Sequence, residues 1–149
     1  MIFKMGKKHI KVLIIGMIVI LFIQCYYRTH SQVRFSKGCD IEIPNNVYVI
    51  RDDYHNMWQD YAIYYDIRLT KESQNKLTES IRKSKFYNPN IFVNEYVTDD
   101  MFLDVDSFRA VWAQTKNGYK FQNDIRNRTY YSVIVDTVSQ IAKFQEMSD

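Results

Sequence analysis

Twelve consecutive apolar residues, Val12 to Ile23 (VLIIGMIVILFI), follow four lysines at Lys4, Lys7, Lys8 and Lys11. The run has no polar face, which separates it from the amphipathic helix of a soluble core. Extended from Ile10 to Tyr27 it gives 18 residues, about 27 Å of helix at a rise of 1.5 Å per residue, near the thickness of a bilayer's hydrocarbon core. A basic leader before an apolar stretch stays cytoplasmic while the following chain crosses. Tyr26, Tyr27 and Arg28 suit the headgroup level. The run is read as an uncleaved signal anchor. A cleaved signal needs small residues before the cut, which Ile23-Gln24-Cys25 does not supply, and Thr29-His30-Ser31 is only tolerable. A lipoprotein would acylate Cys25, but Phe22-Ile23-Gln24 departs from the bacterial lipobox.

Beyond the run, residues 28–40 are polar and patternless and read as a stalk. Ile41, Ile43, Val47 and Val49 then alternate with polar positions and with Pro44, an edge-strand pattern. The cleanest period of two is Asp60–Leu69, where Tyr61, Ile63, Tyr65, Ile67 and Leu69 share one face. That predicts a half-buried antiparallel strand. Thr70 can cap a following helix with Glu72 in its first turn, Leu77 and Ile81 as an inner stripe, and an end near Ser84. Residues 91–93 and 96–97 suggest a short strand. Asn117-Gly118 signals a hairpin between strands over about 108–115 and 119–123. Thr129–Asp136 (TYYSVIVD) is β-branched and aromatic, a further strand. The tail Ile141–Phe144 is read as its hairpin partner, with a final helical turn as the alternative. The expected fold is α+β: a mostly antiparallel sheet with one main amphipathic helix on a face, behind an N-terminal transmembrane helix.

Charge sharpens this division. Residues 1–37 carry seven Lys/Arg and no acid; residues 38–149 carry 13 basic and 17 acidic residues, a net −4. A domain at −4 argues against nucleic acid, whose phosphates are neutralised by Lys and Arg. Two cysteines, Cys25 and Cys39, cannot build a metal site alone, although an oxidising compartment would permit a disulfide between them.

Candidate chemistry is sparse. Asp52, Asp53 and His55 lie within four positions and could serve as acid/base groups, yet a run between two strands also supplies turn chemistry. Asp99, Asp100, Asp104 and Asp106 lack the register of a calcium loop. Asn127-Arg128-Thr129 matches a glycosylation acceptor, which matters only in a eukaryotic secretory pathway. No nucleophile elbow, zinc-protease pair, phosphate loop or Cys-x-x-Cys occurs. These readings assign neither cofactor nor metal. The aromatic content is 15%, with 12 Tyr. Tyr54, Trp58 and Tyr64, with Asp66 and Arg68, form the best candidate recognition surface, since Tyr and Trp give large contact area at low entropy cost.

The expected organisation is a leader and anchor over 1–27, a stalk over 28–40 and an extracytoplasmic domain over 41–149. The expected role is a membrane-anchored binding domain of the cell envelope. It contacts the bilayer through residues 10–27 and binds a protein or envelope polymer. Two other classes are kept: an inhibitor or immunity-type protein against a basic toxin or hydrolase, and an envelope enzyme using Asp52, Asp53 and His55.

Overall fold

A computed structural model of the chain describes residues 13–20, 22, 30–58, 60–98, 110–123 and 128–148. It divides into two compact units, Met1–His30 and Ser31–Asp149. In the first, residues 13–20 and Phe22 are helical (α1). The large apolar side chains of α1 are exposed, from 47% at Ile18 to 73% at Phe22. Among the described residues no helix is long and apolar enough to cross a membrane. The flanks of the expected 10–27 span, with Cys25, Tyr26 and Tyr27, lie outside the described residues.

The second unit is α+β. Its sheet has seven strands: β1 (Tyr48–Met57), β2 (Asp60–Arg68), β3 (Tyr87–Val93), β4 (Val111–Thr115), β5 (Gly118–Gln122), β6 (Thr129–Asp136) and β7 (Ile141–Ser148). Their order is β1-β2-β7-β6-β5-β4-β3. All neighbours are antiparallel except β3 and β4, which run parallel. Two helices, α2 (Ser31–Cys39) and α3 (Lys71–Lys83), belong to this unit. Its main core includes Phe35, Ile63, Ile67, Leu77, Ile81, Trp112, Phe121, Val133, Val135 and Phe144.

Helix α3 follows its sequence signals closely. Thr70 accepts from Ser73 N and the Ser73 hydroxyl accepts from Thr70 N, a reciprocal cap. Leu77 and Ile81 are fully buried, each contributing about 1.5–3 kcal/mol of apolar transfer. Ser84 closes the helix.

The stalk expected over 28–40 is instead α2 from Ser31 onward. Its inner stripe, Ser31, Phe35 and Cys39, recurs every four residues and is buried. Only one of those three side chains is large and apolar, so no periodicity shows in the sequence. The Trp112 indole donates to the Cys39 carbonyl at 2.9 Å, satisfying one of the helix's last acceptors. Cys39 is a buried free thiol. The domain thus begins at Ser31, ten residues before the expected boundary.

Two further expectations change. Residues 41–47 form no strand, and β1 runs through Arg51–His55, where a loop was expected. As the sheet's edge, β1 is mostly solvated on both faces, so charged residues there carry no period-two signature. At the β4–β5 hairpin, Thr115 pairs with Gly118, placing the turn at Lys116-Asn117. Neither Asn117 nor Gly118 has positive φ, so the expected type I′ geometry is absent. Gly118 serves close approach instead: a Cβ there would lie 1.8 Å from the Val135 carbonyl oxygen. The tail is strand β7, wedged between β2 and β6.

Candidate functional site

Alternation along β1 and β2 sorts the candidate residues by face. The register pairs Arg51 with Asp66, Asp53 with Tyr64 and His55 with Ala62, so these side chains share the face away from the main core. Asp52 pairs with Tyr65 and Tyr54 with Ile63, which sets them on the core side. There Tyr54 stacks on Tyr61 at 5.9 Å. The Ser31 hydroxyl donates to Asp52 at 2.5 Å.

The outer face is organised around Tyr64. The Arg51 guanidinium lies 4.1 Å from the centre of its ring, and His55 meets it edge-on at 5.6 Å. Such a cation–π contact is worth about 0.5–1 kcal/mol at an exposed site. Arg51 Nε also donates to Asp53 at 2.7 Å, and that hydrogen bond raises the guanidinium's pKa above its ordinary value. Both partners are solvent-exposed, so the pair fixes geometry more than it stabilises. Strand β7 sets Lys143 beside Asp66 and Gln145 beside Tyr64. Ser132 and Ile134 of β6 extend the same rows. With Arg51, Tyr64 and Asp66, these β7 and β6 side chains line a shallow cavity of about 180 Å³. Arg68 lies on this face at the far end of β2, opposite Tyr48 and Ile141.

Trp58 is at the tip. Met57 pairs with Asp60, leaving a two-residue connection whose first position needs positive φ in either favoured hairpin turn. Glycine or asparagine ordinarily fills such a position. Here Trp58 takes it with φ 68° and is fully exposed, at 101%. A bulky side chain in the left-handed region costs about 1–2 kcal/mol, and solvent exposure offers no burial in return. The indole therefore carries backbone strain with no packing inside the domain to offset it.

The structure therefore brings Tyr64, Asp66 and Arg68 together with Asp53 and His55, places Trp58 at the tip, and turns Tyr54 and Asp52 away. Arg51, Lys143, Gln145 and Ser132 were missed as site residues. A signal existed for Arg51, two residues before Asp53 and so on its face. The β7 and β6 residues are fixed only by tertiary pairing. Asp52 does not share a face with Asp53 and His55, so the three do not assemble one acid/base site. Among the described residues no group of three or more His, Cys, Asp or Glu could hold a metal ion. Asp99, Asp100, Asp104, Asp106 and Asn127 lie outside the described residues.

A second polar cluster lies on the core side. The Glu146 carboxylate is wholly buried and paired with Arg34 of α2. It accepts from Arg34 Nε and Nη2 and from the Tyr61 hydroxyl, each at 2.5 Å. The Tyr131 phenol also feels this carboxylate's charge. Burial is the main cause that raises the pKa of both phenols. Glu146 is committed to holding α2 on the sheet, where it has no access for a reacting molecule.

No family model, curated protein or solved structure matches this chain.

Proposed function

We propose that this chain is a membrane-anchored, extracytoplasmic binding domain of the cell envelope. Its recognition surface is the outer face of the β1–β2 hairpin with Trp58 at the tip. The observation that carries the reading is the convergence of exposed His55 with half-buried Arg51 and Tyr64 on one sheet face, beside a strained, solvent-facing tryptophan. Rigid aromatic and guanidinium groups on a preformed sheet are the side chains that dominate interfaces with proteins and polymers. The lysine leader and the exposed apolar side chains of α1 support the anchor. Sidedness follows from keeping those lysines cytoplasmic.

Neither other class gains support. Counted from Ser31, the domain holds 15 basic and 17 acidic residues, a net −2. Half the charge motivating an inhibitor of basic proteins thereby disappears. The split of Asp52 from Asp53 and His55 leaves the enzyme reading without an assembled site.

The test is fractionation of bacterial cells expressing the full chain. Retention in membranes after alkaline carbonate washing, with protease removing the domain only from the outer side, is the expected result. Release by carbonate, or a domain protected from external protease in spheroplasts, would overturn the reading.

A further inference from the structure

We infer that β1 is a dimerisation edge, pairing antiparallel with β1 of a second copy about a two-fold axis at Tyr54. The two sheet edges are built differently. Strand β3 carries Pro89 and pairs irregularly with β4, devices that blunt an edge. Strand β1 is ten residues long, and among the described residues no strand pairs with its outer side. Its one irregularity is a bulge between Val49 and Arg51, after which Arg51 to Met57 pair one-to-one with Asp66 to Asp60.

That bulge-free segment selects the register. Two copies overlap it fully only when centred on its middle residue, Tyr54. A two-fold axis normal to the sheet keeps each face on its own side. Asp53 then lies opposite His55 of the second copy, and Asp52 opposite Asn56, each twice. Sliding the centre to Asp53 or Asp52 would instead set two carboxylates opposite each other, which is unfavourable. The Tyr54 register also brings each Trp58 level with Ile50 of the second copy. Both are exposed in the single chain, at 101% and 46%. The product is one continuous sheet with two outer faces side by side. This inference does not depend on the membrane assignment.

The experiment is sedimentation equilibrium of the full chain in density-matched detergent, with disulfide trapping of Tyr54→Cys in a Cys25→Ser background. The expected species is a dimer, cross-linked through position 54 and not through Lys76→Cys on α3. His55→Glu should weaken association at least tenfold by opposing Asp53 twice. The exchange Asp53→His with His55→Asp should restore it. A chain that stays monomeric at all concentrations, including one whose β1 edge accepts a strand of a different protein, would overturn the inference. So would a dimer indifferent to His55→Glu.

Discussion

Arg34 and Glu146, 112 positions apart, meet in a two-point ion pair, with Nε donating to Oε2 and Nη2 to Oε1, both at 2.5 Å. Glu146 is wholly buried, whereas a quarter of the Arg34 side chain remains exposed. The pair fastens the first helix of the domain to one of the sheet's central strands. Removing one partner leaves an uncompensated charge in the interior. Arg34→Ala should therefore destabilise the domain by about 3–5 kcal/mol. Replacing both residues with methionine should recover most of that loss. Urea denaturation of the three variants checks it; an Arg34→Ala midpoint equal to wild type would show that the pair contributes nothing.

The same region makes the domain sensitive to alkali. Tyr61 and Tyr131 have folded pKa values above the ordinary 10.0, mainly through burial. Burial likewise raises the Cys39 thiol above 9.0. Folded protein thus holds protons that unfolded protein has released. This contribution is fully present below the unfolded values and is lost as pH rises through and beyond them. Stability should be level near neutrality and fall above pH 9.0, by up to about 1.4 kcal/mol per pH unit for each ionising group. The slope should be shallower in Cys39→Ala and Tyr131→Phe. Stability unchanged between neutral pH and the tyrosine range would refute the assignment.

Gly118 faces a backbone atom that cannot rotate away. Gly118→Ala should cost about 2–3 kcal/mol or more and disturb the β5–β6 pairing. At Gly38 a Cβ would meet the Tyr131 ring at 2.7 Å, and a side chain can shift, so Gly38→Ala should cost less. Thermal unfolding of both variants orders them; equal losses would mean that the contact with Val135 is not what selects glycine.

Trp58 separates stability from recognition. Trp58→Gly relieves the left-handed strain at φ 68° while removing no buried contact. It should leave stability unchanged or raise it by about 1 kcal/mol, with loss of partner binding. A marked drop in melting temperature would show instead that the indole supports the hairpin.

How far the sequence revealed this molecule depended on whether a residue's environment was local. Helix α3 and β2 were legible because cap, stripe and alternation all lie within one element. Helix α2 was not, since its burial stripe is Ser31, Phe35 and Cys39, and the partners that fix it, Trp112 and Glu146, come from distant strands. The edge strand β1 hid behind Arg51-Asp52-Asp53, where hydrogen bonding to β2 rather than hydrophobic alternation sets the conformation. Half of the site surfaced for the same reason. Tyr64, Asp66 and Arg68 followed from β2's periodicity, whereas Lys143 and Gln145 reach that face only through β7's insertion beside β2.

The most direct measurement is photo-crosslinking from a benzophenone side chain placed at position 58, 64 or 79 of the full chain in cell membranes. Positions 58 and 64 belong to the proposed surface, and 79 lies on α3 with its Glu side chain 67% exposed. A discrete adduct distinct from the self-dimer, formed from 58 and 64 but not from 79 and retained in washed membranes, is the result expected. Adducts that are the same from all three positions, or none from 58 and 64, would contradict a recognition surface on the β1–β2 hairpin.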